Sequence, residues 1–184
     1  YARRGQGKDA FVLYKRMQEE GVSPNNVTYI SLLGACATKE SLVEGKRIHL
    51  CMHDDQLADV ILGTALVTMY GRCGLVKDAR AVFDRLPNGN IVSWNAMITV
   101  YVDHEQGREA ISLFQLMQTL GLFANDCTYI NSLRACAILE DVAQGRAIHT
   151  GVVEDGLISD LVVANATIGY VCKMWGICKC TRSV

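Results

Sequence analysis

The chain contains a copy of part of itself. When residues 1–49 are aligned with residues 101–149, 20 of the 49 positions carry the same residue. The motifs Thr28-Tyr29-Ile30 and Ala35-Cys36-Ala37 are among the stretches that recur unchanged. A period this long contains smaller units, because single structural repeats span about 20–50 residues. We therefore predict a stack of short units, in which each unit covers the apolar faces of its neighbours.

Residues 91–125 show what one unit contains. Gly107 lies between two apolar patterns, and Gly121 follows the second as its predicted helix end. Both patterns have roughly helical spacing. The unit is thus predicted to be two amphipathic helices joined by a tight turn. The apolar residues are Val92, Met97, Ile98 and Tyr101 in the first helix, and Ala110, Ile111, Phe114 and Met117 in the second.

The same pattern divides the whole chain, and every boundary follows an Asn or Asp. The predicted units are a partial unit at 1–25, full units at 26–59, 60–90, 91–125 and 126–160, and a partial, diverged unit at 161–184. Predicted helices run over Lys8–Glu20, Thr28 to about Thr38, Leu62–Arg72 and Val76–Arg85, and Ser41 with Glu44 forms a capping box whose counterpart in the copy is an Asp141 cap.

Composition agrees with an all-α fold and limits the possible partners. Half of the residues are hydrophobic, only two are proline, and 20% are charged. The net charge of −1 and pI of about 6.5 lack the basic excess that is common in nucleic-acid-binding proteins. No apolar run is long enough to span a membrane. The chain is predicted to be a fragment, with any targeting peptide outside it.

No constellation in the sequence indicates catalysis, a metal or a cofactor. Eight cysteines could suggest disulfides or a metal site, but no C-x-x-C pair occurs. Cys36 and Cys136 occupy equivalent apolar helices, where reduced thiols pack well. His49 and His149 are likewise equivalent and have no acidic partner that would make either a catalytic base, so we expect structural roles. The spacing of Cys172, Cys178 and Cys180 is poor for zinc, and residues 170–184 no longer follow the repeat pattern.

Three segments identify a resemblance to the pentatricopeptide repeat (PPR) family: GVSPNNVTYISLL at 21–33, GTALVTMYGRCGLVKDARAVFDRLPNGNIVSWNAMI at 63–98 and GRAIH at 145–149. Alternating units of about 35, 35 and 31 residues resemble the PLS subclass of land plants, in which P-type, L-type and S-type motifs succeed one another. By this resemblance, 1–25 and 91–125 are P-type, 26–59 and 126–160 L-type, and 60–90 and 161–184 S-type.

The resemblance implies a right-handed α-solenoid of stacked antiparallel helix pairs that binds single-stranded RNA, one base per repeat, with chain and RNA parallel. In the family, the fifth and last residues of a repeat hydrogen-bond to the base, and the second residue sandwiches it. Thr64 with Asn90 implies adenine, and Asn95 with Asn125 implies a pyrimidine, cytosine favoured. Base recognition is thereby assigned to Thr64, Asn90, Asn95, Asn125, Asn165 and Asn25, and sandwiching to Ile61, Val92 and Val162.

The L-type units depart from this pattern, because Ile30 and Ile130 occupy their fifth positions. An aliphatic side chain cannot hydrogen-bond a base, so Asp59 and Asp160 are not expected to recognise one in the usual way. Asn125→Asp should shift base preference toward uracil. Two other side chains have competing interpretations: Trp94 packs between repeats or stacks on a base, and Arg72 is solvated or contacts phosphate.

The resemblance also implies a setting. Family members act in mitochondria or chloroplasts, in RNA editing, processing or stability, and RNA-editing protein factors are implied as further partners. A small-molecule substrate is not expected, nor is catalysis by this segment, since the H-x-E and C-x-x-C signature of a zinc deaminase is missing. The alternative is a protein-interaction scaffold on the same solenoid. A basic inner groove would favour RNA, and an exposed apolar one would favour protein.

Overall fold

The computed structural model describes residues 7–36, 41–52, 59–87, 89–157, 165, 168 and 169. Within these ranges all regular secondary structure is helical. The nine helices that these ranges contain are α1 Gly7–Glu19, α2 Asn26–Ala35, α3 Leu42–Leu50, α4 Val60–Arg72, α5 Val76–Asp84, α6 Ile91–Asp103, α7 Gly107–Thr119, α8 Asp126–Leu139 and α9 Val142–Glu154. None of the described helices is both long and apolar enough to cross a membrane.

Five of the described helices begin directly after an Asn or Asp that caps them, and in four of them the cap is the last residue of a predicted unit. Asn25 precedes α2, Asp59 precedes α4, Asn90 precedes α6 and Asn125 precedes α8. In each case the side-chain oxygen accepts hydrogen bonds from backbone N–H groups of the first turn, which have no partner inside the helix. Because of these caps, α2 and α4 each begin two residues earlier than their apolar pattern predicted.

The capping box predicted at Ser41 is wrong. Ser41 has a helical backbone (φ −86°, ψ −2°) and makes no side-chain capping hydrogen bond. A cap needs an extended backbone to direct its oxygen at the first turn. The predicted Asp141 cap is confirmed: its backbone is extended (φ −89°, ψ 93°), and its carboxylate accepts from the Gln144 amide at 3.0 Å. A capping box does form at α8, where the Asn125 and Thr128 side chains each bind the other's backbone N–H.

The helix end predicted at Gly121 is confirmed, and Gly21 ends α1 in the same way. Both glycines have φ +75°, a left-handed conformation that costs glycine little. The Leu122 amide donates to the Met117 carbonyl at 3.2 Å, and the amide of Val22 makes the equivalent bond to Met17 at 3.0 Å. This is the Schellman arrangement, and it explains why Gly recurs at this position in both copies.

The chain divides into two compact halves, residues 1–100 and 101–184. In the first, α4 packs against α5 and α2, and its buried face includes Leu62, Leu66 and Val67, none of them exposed. Trp94 is 7% exposed and meets the Phe83 ring edge-on at 5.1 Å. Its indole N–H donates to the Gly89 carbonyl at 3.2 Å. Trp94 therefore belongs to the core, as one of its two interpretations predicted.

In the second half, residues 101–184, α8 packs between α7 and α9. Gly107 is buried as the first residue of α7, and a Cβ atom built there would lie 2.9 Å from the Ala135 carbonyl oxygen of α8. The Phe114 and Tyr129 rings meet at 6.2 Å, and the Tyr129 hydroxyl donates to Asp155 at 2.6 Å. Close backbone approach thus requires glycine where α7 begins.

One member of the apolar pattern in α6 was misassigned. Met97, Ile98 and Tyr101 are buried, but Val92 is 59% exposed. Ser93 and Trp94, which follow it in the same turn, are buried, so Val92 lies on the face of the first turn that points away from the core. The helix predicted to run from Thr28 to about Thr38 ends earlier, at Ala35, because Cys36 has left the helical conformation (φ −81°, ψ 69°). Three expectations lie outside the described residues: Asp160, Val162 and the diverged segment 170–184.

Candidate nucleic-acid interface

The last residues of three units share one geometry. Asn25, Asn90 and Asn125 are exposed, and each uses its amide oxygen, Oδ1, to cap the next helix. Oδ1 of Asn90 accepts from the amides of Val92 and Ser93 at 3.0 and 3.1 Å. Oδ1 of Asn25 and of Asn125 each accepts two bonds from the Thr three residues later, one from its amide and one from its hydroxyl. Both lone pairs of each oxygen are therefore used, and Nδ2, a donor, is the amide's other functional atom.

Asp59 occupies the same position at the end of the 26–59 unit, but its second atom is differently engaged. Oδ1 accepts from the Ile61 and Leu62 amides at 2.8 and 3.1 Å. Oδ2 accepts from Nδ2 of Asn26 at 2.7 Å. The Leu62 amide bond, with those from Ile61 and Asn26, lowers the pKa of Asp59. Sequence analysis did not single out Asn26. The available signal was that the 60–90 and 91–125 units begin with aliphatic residues.

The second residues of the units are exposed and apolar. Ile61 is 66% exposed, Val92 59% and Val27 70%, and the equivalent Cys127 is also exposed. These aliphatic side chains lie in the first turn of a capped helix, within three residues of an Asn or Asp. Each presents apolar surface that would leave water if a flat ring stacked on it.

The fifth residues differ in exposure. Thr64 is half-buried, and its hydroxyl donates to the Val60 carbonyl at 2.6 Å. The hydroxyl oxygen is therefore an acceptor toward any further partner. Asn95 is buried, with 7% of its surface exposed, so it offers much less access than Thr64. Ile30 and Ile130 are half-buried, and Asn165 is an exposed helical residue.

A polar stripe follows α4 from Thr64 to its end. Thr64, Thr68 and Arg72 are spaced by four residues, which places them on one face of the helix. The Thr68 hydroxyl donates to the Thr64 carbonyl at 2.9 Å, and Arg72 is exposed. The stripe begins one turn after Ile61, so apolar, hydroxyl and cationic groups follow one another along the surface of this helix.

Outside this surface, burial is the main cause of the shifted pKa values of His49, Cys36 and Cys136. Burial, and next the charge of Arg85, lower the pKa of His49, whose Nδ1 lies 2.7 Å from the Tyr70 hydroxyl. Burial raises the pKa of the equivalent thiols Cys36 and Cys136 to about 12, so both stay protonated at neutral pH. Among the residues with described positions, no three His, Cys, Asp or Glu side chains are grouped so as to hold a metal ion.

Family models of two kinds match the chain. The PPR repeat family matches residues 1–38 and 89–138, and the PPR repeat matches residues 64–91, so that together they cover more than half of the chain. A chloroplastic pentatricopeptide repeat-containing protein of Arabidopsis thaliana is 38% identical over 174 residues, covering 94% of this chain and 22% of its own length. A mitochondrial one from the same plant is 33% identical over 185 residues, covering 100% and 18%. The chain thus spans about a fifth of these relatives.

Solved structures agree in fold. The pentatricopeptide repeat protein PPR10, crystallised in complex with an 18-nt psaJ RNA element, superposes with a TM-score of 0.64 at 20% identity, covering 87% of this chain and 24% of that one. PPR10 from maize gives a TM-score of 0.56 at 21% identity, covering 95% and 30%. The predicted all-α fold of paired solenoid helices is therefore confirmed.

Proposed function

Because the chain belongs to the pentatricopeptide repeat family, we propose that it binds single-stranded RNA and contacts one base with each unit whose fifth and last residues are both polar. The observation that carries this proposal is the shared geometry of Asn25, Asn90 and Asn125. Capping uses the acceptor atom of each amide, so the atom with which each amide would contact a base is the donor Nδ2. The same helix start thus both orders the fold and orients a recognition group.

The chemistry of Nδ2 selects among bases. An amide donor pairs with an unprotonated ring nitrogen, which the Watson–Crick edge of adenine presents at N1 and that of cytosine at N3. Guanine and uracil present a ring N–H there and would oppose donor with donor. A last-position Asn therefore favours adenine or cytosine on hydrogen-bonding grounds alone.

The 60–90 unit provides a complete adenine contact. Asn90 would donate to N1, and the Thr64 hydroxyl, which already donates to the Val60 carbonyl, would accept from the N6 amine. Ile61 would cover one face of the ring with its exposed side chain. Arg72, at the end of the polar stripe, would contact the phosphate. N1 and the N6 amine of adenine would then each face a protein group of complementary hydrogen-bonding character.

Neighbouring units would add less. We propose that Asn95 and Asn125, with Val92, contact a pyrimidine 3′ of the adenine, and that Asn25 and Asn165, with Val162, act in the partial units. Ile30 and Ile130 would leave the L-type units without base recognition. The unit lengths of 34, 31, 35 and 35 residues at 26–160 support the PLS subclass. The chloroplastic and mitochondrial relatives support an organellar RNA as partner, in editing, processing or stability.

A second candidate function, protein interaction, has a specific observation in its favour. On and just after α7, Leu116, Leu120 and Phe123 are 46%, 62% and 90% exposed. At the equivalent positions of the first copy, Arg16 and Glu20 form an ion pair at 2.9 Å. An RNA-editing protein factor could bind this apolar surface while the first helix of each repeat unit binds RNA.

The decisive experiment is Asn90→Asp. Asp caps a helix as well as Asn does, so the fold is kept, but its second oxygen accepts where Nδ2 donated. Fluorescence anisotropy with short RNAs that vary only the adenine should show preference moving to guanine or uracil by about tenfold, the value of one good base contact. Gln115→Glu, which adds the same charge at an exposed position of α7, should leave the preference unchanged.

Salt dependence separates the two candidate functions. RNA binding through few phosphates should weaken as salt rises, with a slope set by the number of neutralised phosphates. If Asn90→Asp and the wild-type chain bind all four RNAs equally, base recognition by this unit is excluded. Binding of a protein factor that is lost in Leu120→Ser but kept in Asn90→Asp would favour the protein scaffold.

A further inference from the structure

The hydrogen bond between Asn26 and Asp59 joins the first and last residues of one unit. Nδ2 of Asn26 lies 2.7 Å from Oδ2 of Asp59, and the two residues are 33 positions apart in the chain. Oδ1 of Asp59 already caps α4 through the Ile61 and Leu62 amides. Both carboxylate oxygens therefore have protein donors, although Asp59 is only half-buried.

The next two units have no such bond, because their first residues cannot donate one. Val60 begins the 60–90 unit and Ile91 begins the 91–125 unit. Their last residues, Asn90 and Asn125, are also exposed, whereas Asp59 is only half-exposed. A polar first residue thus accompanies an aliphatic fifth residue, Ile30, in the one described unit that ends in Asp.

We propose that Asn26 determines specificity by withholding Asp59 from RNA, so that the 26–59 unit passes one nucleotide without selecting its base. This inference rests on the proposed function. Oδ2 of Asp59 corresponds to Nδ2 of Asn90, the atom that contacts a base in the neighbouring unit. An uncommitted Oδ2 would accept from the ring N–H of uracil or guanine and repel the ring nitrogen of adenine or cytosine.

The hydrogen bond from Asn26 removes both the attraction of Asp59 for uracil and guanine and its repulsion of adenine and cytosine. A donor at 2.7 Å occupies a lone pair of Oδ2, the oxygen that a base edge would otherwise approach. The neutral amide leaves the charge of the carboxylate in place but gives Oδ2 a donor, so an adenine or cytosine meets an acceptor that is already hydrogen-bonded. With Ile30 at the fifth position supplying only apolar contact, all four bases should be accommodated similarly.

The test replaces Asn26 with the residue that begins the next unit. Asn26→Val in the 184-residue chain should keep α2, since Asn25 provides the cap. Four RNAs are compared that differ only in the nucleotide 5′ of the adenine bound by the 60–90 unit. Wild-type affinities should agree within about twofold, and Asn26→Val should prefer uracil and guanine by about tenfold, as a charge-assisted hydrogen bond would give. Asn26→Ala serves as a second variant, with far-ultraviolet circular dichroism as the check on folding.

The controls separate failure of this inference from failure of the proposed function. Adding Asp59→Ala to Asn26→Val should abolish the new preference. If neither Asn26 variant gains one while Asn90→Asp still changes the preference at the next nucleotide, the inference is overturned and RNA recognition stands. A wild-type chain that already prefers uracil or guanine at this position overturns it too. If no variant alters preference anywhere, the proposed function fails first.

Discussion

Nδ1 of His49 lies 2.7 Å from the hydroxyl oxygen of Tyr70, a contact that joins α3 to α4. The two rings also meet nearly edge-on, with centroids 5.6 Å apart. Burial raises the pKa of the Tyr70 hydroxyl to about 12, so Tyr70 stays protonated and can donate to a neutral imidazole. His49 thus has a structural role that is sensitive to its own protonation.

The first prediction concerns pH. Because burial lowers the pKa of His49 in the fold, the unfolded chain takes up its proton first as the pH falls. Stability should be complete above about pH 6.5, the ordinary histidine pKa, and should decline as the pH falls below it toward the folded pKa. Urea midpoints at pH 7.5 and 5.5 measure this, and His49→Gln should show a smaller difference between them.

Tyr70→Phe separates the hydrogen bond from burial. It removes the hydroxyl but keeps the ring, so it should lower stability by about 1 kcal/mol at pH 7.5 while the pH dependence remains. A His49→Gln chain with an undiminished pH dependence would show that other groups cause it.

The second prediction concerns close packing of α7 on α8. Gly107→Ala would place a Cβ atom 2.9 Å from the Ala135 carbonyl, and backbone cannot move aside as a flexible side chain can. We expect a loss of about 1–3 kcal/mol. Gly34→Ala, within α2 and with no atom inside 4 Å of its Cβ, should instead gain up to about 1 kcal/mol from helix propensity. Thermal melts of both variants test the contrast, and equal shifts would contradict it.

The third prediction concerns sandwiching. Ile61→Ser removes exposed apolar surface from α4, so stability should change by less than about 0.5 kcal/mol. RNA affinity should fall about fivefold, since roughly 1 kcal/mol of apolar burial against the base is lost. Val153→Ser, at an exposed position of α9, is the matched control and should bind RNA as the wild type does. Parallel losses in both variants would argue against a role for Ile61.

Local chemistry explains which elements could be predicted. Gly121 and Asp141 were predicted because a helix end or cap depends on bonds to residues within five positions. Ser41 shows where this logic fails. Its sequence satisfies the capping-box pattern, yet the backbone at that position is helical and the side chain makes no capping hydrogen bond. Backbone conformation at a helix start depends on how the preceding chain enters, which the motif does not encode.

The sequence by itself determined the repeat and the helix type, and it placed the starts of α2 and α4 to within two residues, because short-range hydrogen bonds and apolar periodicity depend on neighbouring residues. Tertiary structure decided which side chains face water and which do not. Val92 is exposed while Asn95, three residues later, is buried, because adjacent packing and not polarity sets exposure there. Tertiary structure also brought Asn26 to Asp59 across 33 residues, since stacking places successive helix starts side by side.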